Sequence, residues 1–270
     1  MFRNAQIAVV VPAFNESRHI EATLRAMPSF VDHILVVDDG SRDDTASRAA
    51  NIADARIRVL RHDQNCGVGA ALRTGYQRAF AAGADVAVVM AGDGQMDPAD
   101  LPALLTPVVA DEADYAKGNR LAHPEVVRRM PLARLLGNRV LSFLTRRATG
   151  LSVHDSQCGY TALHRRVGER LPWHALWHGY GYPNDLLGML KQHHARVRDI
   201  VVRPIYADEQ SGVRLRHALV IVPYILTRVL AQRAFSHALS VMGSARALPS
   251  TAPIEPRLIE SKEREVQPNA

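Results

Sequence analysis

The sequence predicts an α/β fold with a mostly parallel central sheet flanked by helices. Two observations lead to this prediction. Short apolar runs alternate with helical patterns over the first third of the chain, and a polar loop follows each run. Strands of a parallel sheet are covered on both faces, so they read as continuous apolar runs. Ligands of such folds bind beyond the carboxyl ends of the strands, which is where these polar loops lie.

Four apolar runs in the first third of the chain are typical of buried strands. We predict these strands over residues 7–11, 33–37, 56–60 and 85–90. Helical patterns follow the first three strands and cover residues 20–27, 43–53 and a segment that ends near residue 82. The second helix opens with acidic residues, which suit the positive end of a helix dipole. Strand, loop and helix therefore repeat in the order that builds a parallel sheet.

The second half of the chain is predicted to be mainly helical. Residues 131–149 carry leucine and valine at helical spacing, a further helix is expected near Asp185, and residues 195–205 are predicted to form a closing strand. Residues 117–125 and 154–159 are predicted to be polar loops.

The segment from Arg214 to Val241 contains four arginines, no acidic residue and an apolar series. Its uncharged stretch, residues 218–227, is far shorter than the roughly 20 residues that span a bilayer. Two interpretations remain open: an amphipathic basic helix in the membrane interface, or an ordinary helix packed on the sheet. The prolines and charges beyond residue 244 predict a disordered tail over 244–270.

Composition excludes several classes of protein. With 270 residues, 47% of them hydrophobic and 22% charged, the chain is globular rather than disordered or collagen-like. Its two cysteines, Cys66 and Cys158, are too few for a disulfide framework or a four-cysteine zinc site. The N-terminal residues do not resemble a secretory signal, so we expect a reducing, cytoplasmic location.

The charge distribution points to an anionic partner. The formal net charge is +6, and residues 120–147 contain seven arginines against the single acid Glu125. A substrate phosphate, an anionic membrane surface and nucleic acid would each suit this segment, and charge alone does not choose among them. Apart from its charge, the sequence shows no motif that indicates nucleic-acid binding. Dinucleotide binding is set aside because Gly67-Val68-Gly69 lacks the third glycine of that fingerprint.

Three loops carry the residue types of a nucleotide site. The first, after the first strand, offers an aromatic ring, an amide and a carboxylate, and the second offers two carboxylates beside Gly40. These groups suit a base or a ribose, although Asn and Glu before a helix are also common capping residues. In the third loop, glycines surround Asp93, which lets backbone and carboxylate approach a charged ligand. Its carboxylate and amide oxygens suit Mg²⁺ or Mn²⁺.

Four motifs in order, VVVPAFNE, VVDDGSRDDT, NCGVGAALRTGY and GDGQMDP, resemble glycosyltransferase family 2. The similarity is to the branch of dolichyl- and polyprenyl-phosphate mannosyl or glucosyl synthases, and it extends over residues 7–214. It implies a GT-A fold, a UDP- or GDP-linked sugar donor, Mg²⁺ or Mn²⁺ as cofactor, and inversion at the anomeric carbon. We therefore predict a catalytic domain over residues 1–212, and the basic, apolar segment after it predicts an amphipathic interfacial helix over 213–243.

By position, the resemblance implies a donor site, a metal site and an acceptor site. The donor residues are Pro12, Phe14, Asn15, Glu16, Asp38, Asp39, Ser41, Gly69 and Asp93, of which Asp38 and Ser41 support their loop. Asp93 and Gln95 would bind the metal. Arg120, Arg134, Asn138, Ser211 and Arg214 would bind the phosphate of a polyprenyl phosphate, because arginine forms bidentate contacts with phosphate.

The resemblance places Asp155 near the reacting centre, as a general base or to orient the acceptor. A phosphate acceptor is already largely a dianion at pH 7, so electrostatic stabilisation should outweigh proton removal. A hydroxyl acceptor would need a base, for which Asp155 and Asp185 are the candidates, and Asp185 could equally be a helix cap. The expected enzyme acts as a peripheral protein on the cytoplasmic membrane face. Transfer to a soluble or glycan hydroxyl stays open as an alternative.

One departure from the family pattern concerns the metal. The usual Asp-X-Asp is replaced by Ala91-Gly92-Asp93, so the first carboxylate is missing. Mg²⁺ often needs only one or two protein carboxylates when substrate phosphates complete its coordination, so activity is compatible with this change. A catalytically weak nucleotide-sugar-binding relative is the second alternative.

Overall fold

The computed structural model describes residues 1–206 and 220–245. Seven strands form one sheet: β1 (Ile7–Ala13), β2 (His33–Asp38), β3 (Ile57–Arg61), β4 (Val86–Val89), β5 (Tyr115–Asn119), β6 (Thr161–His164) and β7 (Val197–Val201). The α-helices are α1 (Ile20–Arg25), α2 (Thr45–Ala50), α3 (Val68–Ala81), α4 (Leu101–Val109), α5 (Val126–Arg129), α6 (Leu132–Thr149), α7 (Arg165–Gly168), α8 (Tyr182–Gln192) and α9 (Val222–Ala245). Ser211 and Arg214 lie outside the described residues.

The sheet has the strand order β3-β2-β1-β4-β6-β5-β7. All neighbours pair in parallel except β6, which is antiparallel to both β4 and β5. The prediction of a mostly parallel α/β sheet is therefore confirmed. The carboxyl ends of β1, β2 and β4 meet at one edge, and the three polar loops follow these ends.

The structure corrects two predictions in the middle of the chain. Lys117 to Asn119, predicted to lie in a polar loop, belong to the buried strand β5, and β6 was not predicted. β5 has the sequence YAKGN, which has no apolar run, and it forms because β6 and β7 pair with it on either side. Helix α8 begins at Tyr182 rather than near Asp185, with Pro183 in its first turn where proline is favoured.

Two apolar clusters cover the two faces of the sheet. Ala8 and Val10 of β1 contribute to a cluster with α3 and α8, and the alternate residues Val9 and Val11 contribute to a second cluster with α1 and α4. Successive side chains of a strand point to opposite faces, which explains this division. The resulting scaffold is packed on both faces and holds the loops at its edge.

The C-terminal helix α9 packs on other helices. Val222, Ile225, Leu226 and Val229 are buried in a cluster that includes Ala148 of α6. The apolar side of the described part of α9 therefore faces α6 and α8, and it does not face the sheet. Within the described residues, no helix combines the length and apolar character required to cross a bilayer.

Candidate active site

Hydrogen bonds join the loops that follow β1 and β2. The Asn15 N–H donates to Ser41 Oγ at 2.9 Å, and Asn15 Oδ1 accepts from the Arg42 N–H at 2.9 Å. The Glu16 N–H donates to Thr45 Oγ1 at 2.8 Å. Asn15 has a φ of +58°, a left-handed conformation that asparagine tolerates better than most residues. Asn15 and Ser41 thus hold the two loops in register, and Phe14 between them is left partly exposed.

The two aspartates after β2 have different partners. Asp38 is fully buried; its Oδ1 accepts from the Ser41 N–H at 3.1 Å, and its Oδ2 lies 3.2 Å from Arg61 Nε. Asp39 accepts hydrogen bonds from the Cys66 N–H at 2.9 Å and the Gly67 N–H at 2.7 Å. Asp38 therefore supports its own loop, as expected, whereas Asp39 joins that loop to the segment before α3.

A cleft of about 290 Å³ opens beside these loops, close to the lower end of the range for small-molecule pockets. Its lining is Phe14, Gly40, Ser41, Arg42, Arg61, Asp63, Gln64 and Asn65. Phe14 and Ser41 are predicted donor residues, and the 63–65 segment is a further wall that sequence reasoning did not identify. An aromatic ring, amides and arginines around one cleft can bind a base and an anionic phosphate.

Gly69 makes a close backbone contact at the start of α3. Its N–H donates to the His178 carbonyl oxygen at 2.7 Å, and a Cβ at this position would lie 2.0 Å from the Trp177 carbonyl oxygen. Any side chain at position 69 would force the two backbones apart. The structure therefore gives Gly69, a predicted donor residue, a role in holding residues 177–178 against the donor-side loop.

Asp93 lies in the loop after β4, where its Oδ1 accepts a hydrogen bond from the Gln95 N–H at 3.0 Å. The pKa of Tyr180 is raised by its burial and by the negative charges of Glu16 and Asp93. Two carboxylates from different strand ends therefore act on one tyrosine. The Gly92 N–H donates to the Pro12 carbonyl oxygen at 3.2 Å and ties this loop to the end of β1.

The oxygens of Asp93 and Gln95 are the hard ligands that Mg²⁺ and Mn²⁺ prefer, so the residues present fit such an ion. A second group is Asp39, His62 and Cys66, whose ligand atoms lie within 4.8 Å of one another. There, however, the Asp39 carboxylate is occupied by backbone N–H donors and lies 2.7 Å from His62 Nδ1. We interpret that group as a set of hydrogen bonds that joins the Asp39 loop to the segment before α3.

Arg120 and Asp155 form a buried ion pair. Arg120 Nε donates to Asp155 Oδ2 at 2.8 Å and one terminal nitrogen donates to Oδ1 at 3.1 Å, while the Arg120 N–H donates to Oδ2 at 3.1 Å. Burial alone would raise the pKa of Asp155, but the charge and hydrogen bonds of Arg120 outweigh it and lower the pKa. Asp155 is therefore a weak base, and its carboxylate fixes the direction of the guanidinium.

Lys117 lies behind this pair and is almost completely buried. Its Nζ donates to the Cys158 carbonyl oxygen, and burial lowers its pKa. Sequence reasoning included Lys117 only as part of a loop, because nothing in its neighbours indicates a buried strand. The structure thus adds a second basic residue beneath Arg120.

Tyr206 connects the two predicted phosphate-binding arginines. The Arg134 guanidinium lies over the Tyr206 ring at 4.6 Å from its centroid. Burial raises the pKa of Tyr206, although the positive charges of Arg120 and Arg134 act to lower it. The Tyr206 hydroxyl is buried and has no hydrogen-bond partner among the described residues. Tyr206 was not predicted from the sequence, and its buried hydroxyl lies near both arginines without a described partner.

Asn138 and Asp185 have structural contacts. Asn138 is buried in α6, and its Nδ2 lies 3.9 Å from Met130 Sδ. Asp185 is buried, accepts a hydrogen bond from the Trp177 N–H at 2.8 Å and pairs with Arg228 of α9. Both carboxylate oxygens of Asp185 therefore have partners, one in α9 and one in the backbone of Trp177. Its role as a base stays a prediction that these contacts do not favour.

Comparison with known proteins identifies relatives of the chain. Residues 8–171 match the sequence profile of glycosyl transferase family 2. The chain is 29% identical to the UDP-N-acetylglucosamine–dolichyl-phosphate N-acetylglucosaminyltransferase of Methanococcus voltae, over 75% of this chain and 86% of that protein. It is 31% identical to the polyprenol monophosphomannose synthase of Mycolicibacterium smegmatis, over 78% of this chain and 83% of that protein.

A solved structure is similar in fold. Glucosyl-3-phosphoglycerate synthase from Mycobacterium tuberculosis, in complex with UDP, superposes with a TM-score of 0.66 over 84% of this chain and 81% of that chain, at 23% identity. This likeness confirms the predicted GT-A fold. The profile match covers more than half of the chain, and the resemblance drawn from the four motifs is confirmed. The chain therefore belongs to glycosyl transferase family 2 and is a glycosyltransferase.

Proposed function

We propose that this enzyme transfers a hexose from a UDP- or GDP-linked donor to a polyprenyl phosphate, with inversion, at the cytoplasmic face of a membrane. The observation that carries the proposal is the site formed by Arg120, Arg134 and Tyr206. Two guanidinium groups and a buried hydroxyl without a described partner suit a phosphate monoester. The relatives support this choice, since their names specify dolichyl-phosphate and polyprenol acceptors.

The donor would occupy the cleft beside Phe14. The ring of Phe14 offers a stacking surface to a base, and the Asp39 loop forms the floor beside it. Arg42 and Arg61 line the same cleft and supply positive charge for a diphosphate. The cleft distinguishes neither uracil from guanine nor one hexose from another, so the donor is assigned only by class.

A divalent cation fits beside Asp93 and Gln95, where it would neutralise the donor diphosphate and stabilise the leaving group. Mg²⁺ or Mn²⁺ is proposed because hard oxygen ligands favour these ions. A single carboxylate at this position suffices if phosphate oxygens supply further ligands. Because Ala91 stands at the usual position of the first aspartate, one carboxylate ligand is missing. Metal binding is then weaker than with two carboxylates, but it is not abolished.

The chemistry requires little proton transfer. A phosphate oxygen of the acceptor attacks the anomeric carbon as the bond to the nucleoside diphosphate breaks on the opposite face, which inverts the configuration. With a second pKa near 6, the acceptor phosphate is largely deprotonated at pH 7 and needs no base. Asp155 fixes the guanidinium of Arg120, and Arg120 and Arg134 orient the phosphate, so catalysis depends on positioning and electrostatics.

The test is release of nucleoside diphosphate from a panel of UDP- and GDP-sugars, with and without polyprenyl phosphate, in Mg²⁺, Mn²⁺ or EDTA. Release that requires both the lipid and a metal is the expected result. Release with a soluble sugar acceptor in place of the lipid would overturn the acceptor assignment. Binding of a nucleotide sugar without release under any condition would instead indicate a catalytically weak relative.

A further inference from the structure

The side of α6 that faces away from the protein carries large apolar side chains. Leu132, Leu136, Val140 and Phe143 are each 47–67% exposed. At 3.6 residues per turn, these four positions fall within an arc of about 80°. They therefore form one continuous apolar stripe, which we call the outer face of α6.

The inner side of the same helix has the opposite character. Four of its six buried side chains are polar, namely those of Asn138, Ser142, Thr145 and Thr149, and the other two are Leu135 and Ala148. A helix on the surface of a soluble protein normally buries its apolar side and exposes its polar side. The reversed arrangement in α6 leaves a large apolar surface in solvent, and such a surface marks an interaction site.

Arginines of α6 lie next to the outer face. Arg146 and Arg147 lie beside Phe143, at 6.0 Å and 5.2 Å from its ring centroid, and Arg139 is exposed one position before Val140. The single acid of the region, Glu125, is paired with Arg129 at 2.8 Å. Apolar side chains with a border of arginine are complementary to an anionic lipid surface, which offers acyl chains beneath a layer of phosphate.

The described part of α9 offers less apolar surface of this kind. Val222, Ile225 and Val229 are buried against α6 and α8, whereas Tyr224 and Leu230 are 57% and 47% exposed. The described part of the segment predicted to contact a membrane therefore directs several of its apolar side chains at the protein. The outer face of α6 remains exposed, and it belongs to the same helix as Arg134.

We propose that the outer face of α6 binds an anionic phospholipid bilayer, with its leucine, valine and phenylalanine side chains at the acyl boundary and the surrounding arginines at the phosphates. The benefit to catalysis rests on the proposed lipid acceptor, since the membrane would then present that acceptor beside Arg134. The binding itself does not depend on turnover.

The test measures binding of the full-length chain to phosphatidylcholine vesicles that contain 30% phosphatidylglycerol, by co-sedimentation. Leu136→Glu combined with Val140→Glu is expected to lower the partition coefficient at least tenfold. Val201→Glu is the matched control, because Val201 is exposed to a similar extent, 51%, but lies on β7. The control is expected to bind like the parent, and thermal unfolding verifies that all three proteins are folded.

The proposal is overturned if the parent chain does not bind the vesicles, or if the double variant binds them as strongly as the parent does. A dimer of the parent chain that the double variant loses, seen by light scattering without vesicle binding, would identify a second copy as the occupant. Binding to vesicles without anionic lipid at equal strength would contradict the role of the arginines.

Turnover separates this proposal from the proposed function. The double variant is expected to keep parent-like turnover of a water-soluble, short-chain polyprenyl phosphate and to lose turnover of a long-chain acceptor in vesicles. If vesicle binding depends on the outer face of α6 but no polyprenyl phosphate is glycosylated, the membrane proposal stands and the acceptor assignment fails. If the double variant loses vesicle binding but glycosylates both acceptors as the parent does, the acceptor assignment and the membrane binding stand, and the benefit of that binding to catalysis is refuted.

Discussion

Replacing Asp155 by asparagine is expected to destabilise the fold and weaken acceptor binding together. Among the described residues, the Asp155 carboxylate accepts three hydrogen bonds, all from Arg120, whose side chain is only 13% exposed. Asparagine keeps one acceptor oxygen but turns an amide NH₂ group toward a guanidinium donor. Breaking a buried ion pair costs about 3–5 kcal/mol of folding stability. Because asparagine keeps one acceptor oxygen, we expect Asp155→Asn to lower the free energy of unfolding by about 3 kcal/mol.

For a domain of this size, that loss lowers the melting temperature by about 6–12 °C. The assay is thermal unfolding of both proteins at pH 7, followed by turnover at several acceptor concentrations below both transitions. We expect the KM for polyprenyl phosphate to rise at least tenfold, with a smaller change in the KM for the nucleotide sugar, because the misplaced group is Arg120.

The double variant Arg120→Met with Asp155→Leu serves as the control. Replacing a buried pair by apolar side chains is often neutral or stabilising, so this protein should recover much of the lost stability while remaining unable to bind the acceptor. If Asp155→Asn melts within 2 °C of the parent and keeps its acceptor KM, the assignment of Asp155 to positioning Arg120 is refuted.

Three further changes test other parts of the site. Asp93→Asn is expected to lower Mn²⁺ affinity in the presence of UDP at least tenfold by calorimetry, and unchanged affinity would move the metal away from Asp93. Lys117→Met is expected to stabilise the protein by about 1–2 kcal/mol at pH 7 in urea unfolding. Since the folded-state pKa of Lys117 lies below 10.5, the unfolded state binds more protons, so this gain should shrink as pH rises toward 10.5; a gain that grows would contradict it. Arg228→Met leaves Asp185 buried without its partner, so it should lower the free energy of unfolding by about 2–3 kcal/mol. Adding Asp185→Asn to this variant should restore part of that loss. If the losses of the two single variants simply add in the double variant, the coupling of Arg228 and Asp185 is refuted.

The parts of the fold that could be predicted are those whose local sequence matches their final environment. β1, β2 and β4 are covered on both faces, so each is a run of apolar residues that indicates a strand without further information. β5 carries Lys117 and Asn119, and it becomes a strand only through pairing with β6 and β7. Such pairing joins residues far apart in the chain, which a local pattern does not encode.

The candidate site shows the same division. Residue types after the strands predicted which loops would lie together, because strand ends of a parallel sheet converge at one edge. The partners of those residues were not predicted. Arg120 and Asp155 were expected to act separately, and Asp155 was left open as a base or as a group that orients the acceptor. Their pairing across 35 residues favours a positioning role for Asp155. Tyr206 could not be found from its neighbours, since only the fold brings it beneath Arg134.

The C-terminal helix is connected by contacts to the proposed donor site, although it lies beyond the family match at residues 8–171. Arg228 of α9 pairs with Asp185, and Asp185 accepts a hydrogen bond from the backbone of Trp177. The carbonyl groups of residues 177 and 178 in turn contact the backbone at Gly69, directly after the loop that Asp39 holds. Each contact in this series is a hydrogen bond, an ion pair or a close backbone approach, and each tolerates little displacement. The position of α9 on α8 should therefore affect the proposed donor loop. Helix α6, which packs against α9 and carries Arg134, connects the same helices to the proposed acceptor site.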